Sequence, residues 1–291
     1  MTTTNNTNNK HVPQRDVLRR FNDLSELYTY AKEAHFNHQT ATHYGAPFCG
    51  GTYREALDTL ASGDLSSVAA AQKIIDQMRD QLIFADQHRV VAPAIVGFAP
   101  HVPHAIIGHP KTMLNFIPSE MISSTTPINI YAMVNVSAWL SDSQVLSRGI
   151  AILSLVLALS QSRPVDLYVG SCSCALDTPT VYGSITRIDT RPLDLAHAAW
   201  MLTSTLAIRG LLLTTSRQIA GDASSRRYSV PHAYCGPTAP TYEPSLRSLI
   251  GMAPQDILIK AGSSLDKAML DNPIKWVKDM IKAHTTLTIG A

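Results

Sequence analysis

The chain is poor in charge. Asp, Glu, Lys and Arg make up 16% of its 291 residues, against 45% hydrophobic, where soluble domains carry roughly 25% charged residues. A disordered chain needs the opposite balance, so disorder throughout is excluded. Lys and Arg exceed Asp and Glu by a net +2, too little positive field for a strongly basic nucleic-acid coat. Cysteine is scarce too: Cys49, Cys172, Cys174 and Cys235 are the four, too few and too scattered for a disulfide scaffold. Cys172 and Cys174 share one face of a strand, but no Cys-x-x-Cys pair supports them as zinc ligands. They read as small buried hydrophobes.

Long apolar runs are missing as well. Gly149 to Leu159 is the longest, about half of the ~20 residues a membrane span needs. Met1 to Asn9 is rich in Thr and Asn and has no apolar core, so it is not a signal peptide, and a disordered tail is expected over 1–12. A cytoplasmic protein with no membrane partner is the expectation, in the host cytoplasm if a phage encodes it. No Gly-x-Ser-x-Gly elbow, Walker loop or Gly-x-Gly-x-x-Gly occurs, which removes the common hydrolase, phosphate-binding and dinucleotide-binding signatures. Cys49 precedes Gly50-Gly51 with His43 nearby, but no visible cation or helix start activates its thiol. No catalytic residue and no cofactor are expected.

What is present is periodicity. Residues 13–89 read as an N-terminal helical segment packed on the main domain. Leu24, Leu27, Tyr28 and Ala31 share one helical face, and Thr52 with Glu55 has capping-box spacing. A further amphipathic helix is expected from Ser66 or Ser67 to Gln81. Residues 90–291 read as an α/β domain with a long irregular loop at 220–244. Its elements begin with an apolar strand from Val90 to Phe98. Ile128 to Val136 is a strand, about Gln144 to Ser160 a helix apolar nearly all round, and Val165 to Cys172 a second apolar strand. That succession makes a βαβ unit covered on both faces. Val181 to Ile188 is expected beside it, Asp189 or Asp194 starts another helix, and 208–214 is either helix end or strand. Asp256 to Lys260 and Pro273 to His284 supply a last strand and helix. The expected architecture is a three-layer, Rossmann-like α/β sandwich around a mostly parallel sheet.

Three stretches carry the sharpest signal: Asn129-Ile130-Tyr131-Ala132-Met133-Val134-Asn135-Val136-Ser137-Ala138-Trp139, then Arg148-Gly149 through Leu159, then Val165 to Gly170. Together they resemble the first strand, helix and second strand of von Willebrand factor A-like domains. In that family the strand ends in Asp-x-Ser-x-Ser, whose oxygens hold a divalent ion. Here Asn135 stands for the aspartate, Ser137 matches and Trp139 replaces the second serine. The resemblance therefore implies a degenerate site without metal. The wider pattern (the Thr52-to-Gly63 helix, the Pro100-to-Met113 turn, Leu193 to Leu213) looks similar to an uncharacterised family of phage- and plasmid-encoded proteins. It implies a genetic context and no mechanism.

His101, His104 and His109 lie in a Pro- and Gly-punctuated connector and read as exposed imidazoles. Arg15, Arg19 and Arg20 are placed at the first helix start. Arg226, Arg227 and Tyr228 in the long loop form a candidate flap. Open α/β sheets bind at the carboxyl ends of their strands, which nominates Asn135, Ser137, Trp139 and Asp142 as the lining of a binding edge. The expected function is non-enzymatic: a phage or mobile-element accessory protein that binds another macromolecule, most simply a protein. The alternatives are a single-stranded nucleic-acid-binding accessory of replication or transcription, which stacking by Tyr228 would serve, and a structural virion component.

Overall fold

Strand β5 (Ile128–Met133), helix α4 (Asp142–Ser160) and strand β6 (Val165–Cys174) form the centre, with β5 and β6 paired in parallel from Ile128↔Val165 to Met133↔Gly170. The computed structural model describes residues 17–37, 49–69, 89–96, 99–100, 102–118, 127–136, 140–160, 163–174, 181–220, 242–260 and 267–286. Strand β7 (Val181–Ile188) returns antiparallel to β6, and β8 (Ile257–Ile259) lies parallel to β5 on its other side. Strand β1 (Val17–Phe21) completes one edge by pairing in parallel with β7, which gives the five-stranded order β1-β7-β6-β5-β8. Three of its four ladders are parallel, and helices cover both faces. This is the three-layer α/β sandwich expected from the continuous apolar strands.

The alternation along β5 and β6 sorts the two faces. Ile128, Ile130, Ala132 and Val134, with Val165, Leu167 and Val169, point into the large core. There they meet α1 (Leu24–Asn37), α2 (Tyr53–Ser62), α4, α5 (Leu195–Thr203), the short α8 (Lys267–Asp271) and α9 (Pro273–Thr286). Tyr131, Met133, Tyr168 and Cys172 point the other way and are covered by α7 (Tyr242–Ile250) through Leu246 and Ile250. Tyr131 and Tyr168 stack with centroids 4.8 Å apart. Among the described residues α4 alone is long and apolar enough to cross a bilayer, with mean hydropathy 1.6. It connects two directly paired strands and buries Ile150 to Val156 in the core, which is the environment of a core helix.

Local signals act as their chemistry dictates. Thr52 Oγ1 accepts from the Glu55 N–H at 3.2 Å and Glu55 Oε2 accepts from the Thr52 N–H at 2.6 Å, a complete capping box. The Glu55 carboxyl is held below its usual range by those bonds from Thr52. Asp194 caps α5, accepting from the His197 N–H at 3.2 Å. Segment 208–214, open between helix and strand, is helical. Leu206–Leu212 takes the wider π form and continues into α6 (Leu213–Ala220).

The N-terminal segment needs a correction, because among the described residues strand β1 precedes the first helix. Arg19 and Arg20 therefore stand on a strand and not at a helix start. The reason is non-local: β7 offers an unpaired edge that only folding brings to residues 17–21. Arg19 lies over the Tyr30 ring, 4.1 Å from its centroid, and Arg20 donates to the Ile250 carbonyl. Arg15, the tail 1–12 and most of the expected helix to Gln81 fall outside the described residues.

Residues 89–118 build a second, three-stranded antiparallel sheet of order β2-β4-β3: β2 (Arg89–Ala94), β3 (Ala99–Pro100) and β4 (Met113–Pro118), with the one-turn helix α3 (Val102–Ile106) between the last two. At the other end of the chain, α9 carries a pH-sensitive contact. Burial first, then the charges of Arg163 and Arg247, holds the His284 imidazole below its ordinary 6.5. The folded state thus prefers neutral His284. Its contribution is fully present above about 6.5 and is lost as pH falls through the lower folded value. Thermal midpoints measured down an acid series should decline below neutrality, and His284→Gln should flatten that part of the decline.

Candidate functional site

The carboxyl ends of β5, β6 and β8 meet at one edge. Strand β5 has β6 on one side, reached directly through α4, and β8 on the other, reached only after most of the remaining chain. That reversal is the switch point where open α/β sheets present a crevice. The crevice is filled from within. Arg148 is 1% exposed and its Nη2 donates to the Met133 carbonyl at 3.0 Å and to the Lys260 carbonyl at 2.5 Å. One guanidinium thereby ties the end of β5 to the end of β8 and saturates carbonyls that a ligand would otherwise address.

Asn135 sits beside that tie and is 7% exposed. Its Oδ1 accepts from the Cys172 N–H at 2.9 Å, and its Nδ2 donates to Ser171 Oγ at 3.0 Å. The Ser171 carbonyl in turn accepts from Ser216 Oγ at 2.7 Å, which joins α6 to the same corner. Asn135 is thus a clamp between β5 and β6, the strand-end use of an amide. A divalent ion does not fit these residues. The Asn135 oxygen already takes a backbone N–H, and Arg148 brings a positive charge to the adjacent carbonyl of Met133. Among the described residues no three of His, Cys, Asp and Glu come together as ligands.

The loop from β5 to α4 enters the helix through a second capping box. The Ser141 N–H donates to Gln144 Oε1 at 2.9 Å and Ser141 Oγ accepts from the Gln144 N–H at 3.3 Å. The helix therefore starts at Asp142, a little earlier than expected, and Asp142 is exposed in its first turn. Underneath, Arg209 of the π segment is 8% exposed and its Nη2 donates to the Leu140 carbonyl at 2.9 Å. Burial pulls the Arg209 pKa down, while Asp142 and Cys49 act to raise it. π-Helical turns bring side chains out of α register, and here the turn aims an arginine at the loop. Cys49 Sγ donates to the Arg209 carbonyl at 3.8 Å. Glu243 completes the rim, reaching Lys260 Nζ at 2.5 Å and Arg247 Nε at 3.0 Å. Those two cations hold its carboxyl below the usual range.

Of the residues nominated from sequence, Asn135 and Asp142 lie at this edge, the first as a clamp and the second on the rim. Ser137, Trp139, Arg226, Arg227 and Tyr228 lie outside the described residues. Arg148 and Arg209, which hold the edge together, were not nominated. Their signal was a single cation inside an otherwise apolar helical run, visible in Val145 to Leu159 and in Leu206 to Leu213.

The thiol and imidazole clusters resolve chemically. Burial pushes the Cys172 thiol up to about 12, so it remains protonated at neutral pH and behaves as a small buried hydrophobe. His104 and His109 pack with ring centroids 4.3 Å apart. His109 Nδ1 accepts the Lys111 N–H at 3.1 Å, which leaves the proton of the neutral ring on Nε2 and removes that nitrogen as a metal ligand. His104 Nδ1 faces the Lys111 carbonyl at 2.9 Å. The pair fastens a turn. His101 lies outside the described residues.

No curated protein and no solved structure matches the chain significantly. One family model does, over residues 3–287, which is nearly the whole length. The chain belongs to the family described as a domain of unknown function, DUF7192.

Proposed function

We propose that the protein is a non-enzymatic binding module, an accessory of a phage or mobile element, that docks another protein on the rim of its β5–β6–β8 edge. The observation that carries this reading is Arg148 in the switch-point crevice. A buried guanidinium bonded to the carbonyls on both sides takes up the strand-end groups that a small ligand would address, which favours recognition by the surface around it. Two features fit a macromolecular partner. Two of the rim's described points are held from inside, Asn135 by the backbone of β6 and Leu140 by Arg209. Its charges are mixed, with Arg148 and Arg209 beneath, Asp142 exposed in the first turn of α4, and Glu243 paired with Lys260 and Arg247, a pattern suited to a polar protein surface.

A photo-crosslinking residue placed at exposed Ser143 tests the reading, with the same residue at exposed Lys278 of α9 as control. A protein adduct formed from position 143 alone in cells that express the chain naturally is the expected result. Equal labelling from both positions overturns the edge as the docking site. A nucleic-acid adduct from position 143 replaces a protein partner by the single-strand-binding alternative. Added magnesium or a chelator should leave the thermal midpoint unchanged, and a magnesium-dependent rise would return the edge to ion binding.

A further inference from the structure

We infer that the 89–118 sheet is an arm whose tip inserts into the interface of an anionic lipid bilayer. The geometry follows from the register. Strands β2 and β3 pair with β4 on opposite sides, and Ala94 and Pro100 both stand opposite Met113. The segment leaving β2 and the α3 turn entering β4 therefore emerge from the same end of the sheet. Arg89 and Pro118 are paired at the other end, where the chain enters and leaves. At the free end Ile95 is 71% exposed, Val96 75%, Val102 57%, Ile106 79% and Ile107 73%. Scattered exposed aliphatics are ordinary, whereas five collected on one tip mark a binding surface.

Charge selects the occupant. From Ile95 to Thr112, the stretch that makes the free end, the sequence contains no aspartate or glutamate and one permanent cation, Lys111. An apolar tip whose one permanent charge is the exposed Lys111 complements a surface of anionic headgroups over hydrocarbon. The strands themselves discourage a protein that adds a strand. Both edges of the sheet carry proline, Pro93 on β2 and Pro100 on β3, and proline offers no N–H to a ladder. Ile95 and Val96 sit on a bend, Val102 and Ile106 on the single turn of α3 and Ile107 just after it, side chains that a fluid bilayer accepts without a preformed pocket. This mode inserts side chains and no spanning helix, so a search for long apolar runs does not detect it.

Flotation of the full chain with vesicles tests the inference. Binding is expected to vesicles of phosphatidylcholine mixed with phosphatidylserine and to be several-fold weaker with phosphatidylcholine alone. Combined Ile95→Ser, Ile106→Ser and Ile107→Ser should reduce binding about tenfold or more, because each removes most of a side chain's apolar transfer. Lys111→Glu, a change at an exposed side chain whose backbone keeps its bonds to His104 and His109, should weaken only the anionic component. Thermal midpoints of both variants should match the parent, since these positions are exposed. No flotation of the parent chain overturns the inference, as does unchanged flotation of both variants. A parent that self-associates without floating, and a serine variant that does not, would assign the tip to a second copy of the chain.

Discussion

Arg148→Met is expected to cost about 3 kcal/mol of stability, although it places an apolar side chain in an apolar helix. Methionine fits the volume and favours the helix. It offers no donor, so the Met133 and Lys260 carbonyls lose the partner they share. The Met133 carbonyl is buried, so losing its partner costs about 1–3 kcal/mol, while the Lys260 carbonyl, at an exposed residue, adds a smaller loss by freeing the end of β8. A loss of this size corresponds to a fall of roughly 6–9 °C in the thermal midpoint of a domain of this size. Arg148→Lys should recover little, because one ammonium lacks the fork that spans two strand ends. Hydrogen exchange separates this account from a general packing defect. Protection should drop first in β8 and the end of β5, while α5 and β7 keep theirs. If Arg148→Met proves neutral or stabilising, the tie is not what closes the crevice, and the case for rim docking loses its foundation.

The second large effect is at the next residue. Gly149→Ala should destabilise by about 3 kcal/mol or more, the reverse of what alanine does in an ordinary helix interior, where it gains about 0.5–1 kcal/mol over glycine. A Cβ at Gly149 would stand 2.3 Å from the Leu202 carbonyl oxygen, 2.6 Å from its carbon and 2.7 Å from Thr203 Cγ2. Two of those atoms are backbone of α5, which cannot rotate away, so α4 and α5 must separate. Separation opens the core around Trp200, which is 1% exposed on α5. Urea midpoints of the variant and parent give the sign directly. A neutral or stabilising result would mean that the two helices have slack at their crossing.

Much of this fold was legible in residues taken a few at a time. The β5–α4–β6 unit announces itself because strands buried on both faces cannot alternate polar and apolar residues. The Thr52 and Asp194 caps are equally local, since donor and acceptor lie three residues apart. Where reading residues in order fell short, the cause was long range. Strand β1 exists because β7 has a free edge more than a hundred residues later. Arg19 and Arg20 cannot reveal that from their neighbours.

The candidate edge divides along the same line. Sequence by itself determined that the usual catalytic motifs were missing and that Asn135 stands at the end of a central strand. Only tertiary structure decided that Asn135 spends its amide on Ser171 and Cys172, that Arg148 seals the gap between β5 and β8, and that five exposed aliphatics converge on one tip. Patterns of hydropathy and capping depend on atoms a few bonds or one turn apart. The destination of a buried guanidinium or of a strand's free edge depends on which distant backbone groups folding leaves unsatisfied nearby.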